Sequence, residues 1–172
     1  TEVENVVRQT FGQYESLINN FAKTSIEKFG MSELSVKQFA SRFQAMGVAM
    51  GFSQGKMTDM SINLTKLTAD MASFYDVAQS DVAEDLQSIF TGQTRPLRAY
   101  GLDLTQATLK EWALTQGIEA NFKTMTQAEK AMLRYQYVMA NTATAQGDFA
   151  RTADTWHNQI TMLKENFKAL GA

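Results

Sequence analysis

The chain has 172 residues, a formal net charge of −2, 44% hydrophobic and 20% charged residues, one proline, one histidine and no cysteine. That length suits one ordinary domain, the apolar fraction excludes a disordered tail, and the missing thiols exclude disulfides, thiolate zinc sites and a cysteine nucleophile. Seven basic and eight acidic residues in 1–78, and nine and ten in 79–172, leave no basic footprint for nucleic acid and no polybasic membrane anchor, and no apolar run approaches the ~20 residues that span a bilayer.

In chain order, the apolar residues repeat with helical spacing. Val7, Phe11, Tyr14, Ile18 and Phe21 step by 4, 3, 4, 3 and predict one long helix near 3–28. Val36, Phe39, Phe43, Met46 and Met50 predict a second over 35–51, with Ser35 and Gln38 as a capping box. Met57, Met60, Leu64, Leu67, Met71, Phe74 and Ala78 predict a third over 54–78. Gly51 and Gly55 bracket Phe52-Ser53-Gln54. A left-handed glycine closes one helix and Ser53 caps the next, so 35–77 reads as an antiparallel helical hairpin.

Shorter helices follow near 81–91, 96–100 and 105–116. Asp81 and Glu84 supply the start signal of the first, with Asp85 close by. Thr126 and Glu129 form a capping box for a helix over 126–146, whose stripe is Ala128, Met132, Tyr135, Met139 and Thr142. Phe149, Ala153, Trp156, Ile160, Leu163, Phe167 and Leu170 predict a last helix over 152–170. Gly30, Gly92, Gly101, Gly117 and Gly147 mark further turns. The fold class is therefore all-α, an array of antiparallel helical hairpins with about seven or eight helices. It reads as a single helical region, 1–172, with 91–105, the stretch densest in helix breakers, as candidate hinge. The N-terminal Thr1-Glu2-Val3-Glu4 has neither an initiator Met nor a signal layout, which reads as a processed chain or an excised fragment.

Residues able to carry chemistry do not assemble into a recognisable site. His157, with Asp154 nearby, lacks the strand-turn-helix elbow that would present a serine nucleophile. Asp81, Glu84 and Asp85 are the tightest acidic group, and they read as a charged first turn. Gly92-Gln93-Thr94-Arg95 lacks the second glycine and the lysine of a phosphate-binding loop. Asp148-Phe149 after Gly147 reads as a turn that caps the last helix. No catalytic residue, cofactor or metal is expected, and the chain reads as no enzyme. Methionines 46, 50, 57, 60 and 71 on the hairpin stripes read as core packing. Their 3-4 spacing also suits a coiled-coil seam, so a homo-oligomer built on 57–78 stays open.

The chain resembles the conserved region of bacteriophage tail tape measure proteins, the type found in long-tailed phages and prophages of Gram-positive bacteria. The resemblance is carried by motifs in order over roughly 22–172. These are Met60-Ser61-Ile62-Asn63-Leu64-Thr65-Lys66-Leu67-Thr68-Ala69-Asp70-Met71-Ala72-Ser73-Phe74-Tyr75, then Ser88-Ile89-Phe90-Thr91-Gly92-Gln93-Thr94-Arg95-Pro96-Leu97 with Tyr100-Gly101-Leu102. Ala128-Glu129-Lys130 and Leu133-Arg134-Tyr135 follow, then Ala145-Gln146-Gly147-Asp148-Phe149-Ala150-Arg151-Thr152-Ala153-Asp154 with Trp156 and Asn158.

The resemblance implies a structural role: a ruler in the tail-tube lumen that sets tail length and assists DNA ejection. The implied partners are tail-tube and tail-tip proteins and tail assembly chaperones; the charge balance and the short apolar runs, not the resemblance, read against sequence-specific nucleic acid and against membrane contact by this segment. The implied location is the virion, after assembly in the host cytoplasm. A continuous helix fixes length at about 1.5 Å per residue, whereas this region is broken by glycines and would have a radius of gyration of about 15–16 Å if folded compactly. The expectation is a folded module on the ruler, or one that opens its hairpins. The competing reading is a helical adaptor unrelated to phage.

Overall fold

A computed structural model of the chain describes residues 1–146. Among these residues the fold is all-helical, with eight α-helices and no strand: α1 (Glu2–Phe11), α2 (Glu15–Phe29), α3 (Glu33–Met50), α4 (Gln54–Tyr75), α5 (Gln79–Leu86), α6 (Ser88–Thr91), α7 (Gln106–Thr115) and α8 (Gln127–Asn141). Short 3-10 turns cover Gly12–Tyr14 and Arg95–Tyr100. The predicted helix over 152–170, the stripe from Phe149 to Leu170, Gly147 and His157 lie outside the described residues. The chain divides into two compact units, Thr1–Phe90 and Thr91–Ala172.

In the first unit the α3–α4 hairpin is built by the expected local chemistry. Gly51 closes α3 in the left-handed conformation (φ 114°), and the Ser53 hydroxyl accepts the Lys56 N–H to cap α4. Val36, Phe43, Met57, Leu64, Leu67 and Met71 are fully or almost fully buried. Met57, Met60 and Met71 are thus core residues, while Met46 and Met50 are only partly covered. Gly47 sets how closely the two helices approach. A Cβ there would overlap the Met57 thioether and stand 2.7 Å from its Cγ.

Three expectations in this unit are corrected. The helix near 3–28 is two helices. Gly12 breaks it at φ 54°, ψ −125°, a conformation that L side chains rarely adopt, and α1 turns to pack against both α2 and α3. The α3 cap is Ser32, whose hydroxyl accepts the Ser35 N–H, so Ser35 is a first-turn residue and not the head of a capping box with Gln38. The 57–78 stripe ends early. Asp76 is left-handed (φ 54°) and stops α4 at Tyr75, so Phe74 is 56% exposed and Ala78 becomes the N-cap of α5. Asp81 lies in the first turn of α5, as the charged-first-turn reading expects, with the helix opening at Gln79.

In the second unit, Pro96 stands in the opening turn of the 3-10 segment, where a missing N–H costs least. Thr105 caps α7 and the Thr126–Glu129 capping box of α8 forms in both directions. Gly117 is left-handed (φ 77°), and the following Ile118 N–H returns to the Ala113 carbonyl at 2.8 Å, closing α7. Loop residues Leu102, Leu104, Ile118, Ala120 and Met125 are buried. α8 ends at Asn141, short of the expected 146, and it buries more than one stripe: Ala131, Met132 and Leu133 are covered, as is the run Tyr135 to Met139. Trp112 of α7 meets Tyr137 of α8 edge-on, with ring centroids 5.7 Å apart.

Candidate functional site

Among the described residues, the chemistry-bearing side chains singled out in the sequence do not converge. Asp81, Glu84 and Asp85 lie on α5, and among the described residues no three His, Asp or Glu side chains group as a metal site would require. His157, Asp154, Asp148 and Phe149 lie outside the described residues. Gly92 of the Gly92–Arg95 turn is left-handed (φ 79°), and a Cβ there would meet the Arg134 guanidinium at 3.1 Å. The left-handed backbone accounts for that glycine, and the turn lies against the Arg134 side chain of α8. This contact places Gly92 and Arg134, which belong to separate motifs of the resemblance, side by side. Burial holds the Arg134 guanidinium below its ordinary pKa.

What the first unit offers is surface, organised by two polar clusters that spacing along the chain does not reveal. The first lies inside the hairpin. Gln44 is fully buried; its Nε2 donates to the Gln54 carbonyl (3.1 Å) and to Thr58 Oγ1 (3.2 Å), and its Oε1 accepts from Ser61 Oγ (3.0 Å). Buried Thr65 and Thr68 are satisfied within α4 by donating to the Ser61 and Leu64 carbonyls, each at 2.7 Å. The network fixes the register of α3 on α4, because a slip by one residue would leave several buried polar atoms unpaired.

The second cluster holds α1. Lys37 of α3 is 8% exposed, and its Nζ donates to Glu4 of α1 and lies 3.2 Å from Glu33. The hydrogen bond with Lys37 holds the Glu4 carboxyl below its ordinary range, and the same bond, with Glu33 assisting, holds the Lys37 ammonium above its own. Gln54 Nε2 donates to the Thr10 carbonyl at 3.3 Å, and Val7 and Phe11 are fully buried in a cluster with Ile18, Ala22, Met31, Val36, Ala40 and Ala69. Beside this core Lys66 lies over the Phe21 and Phe29 rings at 5.7 and 5.9 Å, and burial lowers its pKa.

Four of the large exposed apolar residues of the first unit flank two turns, and Val6, Leu17 and Val48 lie elsewhere on it. Ile26 (63% exposed) and Leu34 flank the Gly30 turn, and Phe74 and Val77 flank the Asp76 turn. Gln79 Nε2 donates to the Gly30 carbonyl at 3.1 Å, so the two turns sit together. Phe74 and Tyr75 stack edge-on with centroids 5.0 Å apart. This rim of large apolar side chains beside helix ends is the best candidate contact surface on the unit. Charge count and periodicity could not find it, since Phe74 shares the heptad-like spacing of the buried residues before it. No helix among the described residues is long and apolar enough to cross a membrane. No family model, no curated protein and no solved structure matches the chain.

Proposed function

We propose that this chain is a segment of a phage tail tape measure protein and acts through shape and contact surface, not by making or breaking bonds. The observation that carries the reading is the ordered run of motifs from Met60 to Asn158. The helical architecture is compatible with it. So is a first unit whose buried polar groups serve helix register and four of whose large exposed apolar residues border two adjoining turns. In this reading residues 1–90 are a folded module carried on the ruler, and the Ile26, Leu34, Phe74 and Val77 rim meets tail-tube, tail-tip or chaperone proteins.

The test is removal of residues 1–90 from the parent protein, with tail length measured by electron microscopy. A strung-out helix of that length would account for about 135 Å of tail at 1.5 Å per residue. A folded module with a radius of gyration near about 12 Å shortens the tail by no more than a few tens of Å. A loss near the larger value rejects the module, and unchanged tails together with no binding to tube, tip or chaperone proteins reject the tail assignment. Tight binding of the 172-residue chain to a helix from an unrelated cellular protein instead supports the adaptor reading.

A further inference from the structure

We propose that α1 is an exchangeable strap: its seat on α3 accepts α1 from a second copy of this chain, and Gly12–Tyr14 is the hinge that lets it leave. This goes beyond the tail assignment and holds whether or not the chain serves a tail. Three observations lead to it. The stripe Val7, Phe11, Tyr14, Ile18 and Phe21 runs through the break without losing helical register, so the same residues would share one face of an unbroken helix over residues 2–29. At about 1.5 Å per residue that helix is roughly 42 Å long.

The hinge packs through Tyr14 against Gly55 of α4 but has no side-chain cap. Neither the 3-10 turn nor the start of α2 carries one, and the bend depends on Gly12 at φ 54°, ψ −125°. The seat, by contrast, is specific. It takes Val7 and Phe11 into the apolar cluster, Glu4 onto Lys37 and the Thr10 carbonyl onto Gln54. An α1 swung out as part of a straight helix exposes Val7 and Phe11 and vacates the site built for them. A second copy in the same state presents the complement of both. Short, strained hinges joining a helix to its body favour this exchange, because the interactions given up within each chain re-form between the two.

The charge pair gives a test that reads exchange directly. In Glu4→Lys the strap meets Lys37 with like charge; in Lys37→Glu the seat repels Glu4. Each variant of the 172-residue chain is mismatched within itself and with its own copies. In a swapped heterodimer each strap meets a seat of opposite charge, one pair native and the other with its signs reversed. Mixing the two is expected to give a one-to-one dimer of doubled mass by native mass spectrometry and analytical ultracentrifugation.

If either variant alone loses helix, recovery of helicity on mixing counts for the proposal. Failure to form the heterodimer, with no recovery of helicity, overturns it. As a second arm, Gly12→Ala disfavours the bend and places a Cβ 2.9 Å from Gln54 Oε1, so it should tighten self-association at least roughly tenfold relative to the unsubstituted chain. Retained helicity with unchanged association rejects the hinge.

Discussion

The α3–α4 hairpin and the α1–α2 segment carry similar apolar stripes, with steps of three and four residues, yet one is two unbroken helices joined at its marked turn and the other is broken inside its stripe. In the hairpin the sequence signals and the tertiary packing agree. Gly51 and Ser53 stand where the stripe pauses, and Gly47 and Gln44 then lock the pair. In α1–α2 they disagree, and the partners that win are distant in sequence: Lys37 for Glu4, and Gln54 for Thr10. Periodicity names the face of a helix that will be buried. Whether the helix stays continuous depends on where its burial partners lie.

The sharpest test of the comparison replaces one fully buried phenylalanine in each segment. Phe43→Ala is expected to cost about 3–5 kcal/mol, read as a lowered urea midpoint for the whole first unit. Phe11→Ala removes a side chain of the same size, but the loss should fall first on α1, with its amides exchanging hydrogen well before those of α4. Uniform exchange across both helices would show that α1 is as integral as the hairpin.

Next in size, Gly47→Val forces a branched side chain into the Met57 thioether and is expected to cost about 2–3 kcal/mol by urea unfolding. Combining it with Met57→Ala should cost less than the two separate losses added together. Gln44→Leu keeps the volume and removes the polar links. It leaves Ser61 Oγ without its acceptor, and the expected loss is about 1–3 kcal/mol. A stability unchanged within error would mean that packing alone sets the hairpin register.

The smallest effect belongs to the α1 clamp and is best read through pH. Glu4 is held below its ordinary value of 4.5, so its contribution is present above that value and is lost as pH falls through the depressed one. Lys37 is held above its ordinary 10.5, so its contribution is complete below that value and is lost as pH rises through the elevated one. The difference in urea midpoint between the parent chain and Glu4→Gln should therefore be flat from about pH 5 to 10 and shrink on both sides. A difference that changes near neutrality would rule out this pair as its source.

Much of the fold is legible in the sequence for reasons that are local. The left-handed glycines 30, 51, 92, 101 and 117, the Ser53 cap and the Thr126–Glu129 box each act over a few residues, so they can be read without neighbours. The departures also have a local form. The apolar series starts at Val36 and so places the head of α3 at Ser35, but Ser32 caps a first turn whose Glu33 and Leu34 face outward. Asp81 carries a start signal, yet Asp76 has already turned the chain and Ala78 opens α5. The candidate contact rim is hidden for a related reason: Phe74 has the spacing of a core residue, yet it stands in the last turn of α4 and is 56% exposed.

Among the described residues the amino-acid sequence alone dictated helices, their faces and most of their ends, because backbone hydrogen bonds, capping side chains and glycine conformations are satisfied within one or two turns of chain. The approach of α3 to α4 at Gly47, the bend at Gly12, the burial of α8 on more than one side and the exposure of Ile26, Leu34, Phe74 and Val77 belong to the tertiary structure. Each depends on which distant side chain fills the space beside it, and no spacing along a single helix encodes that.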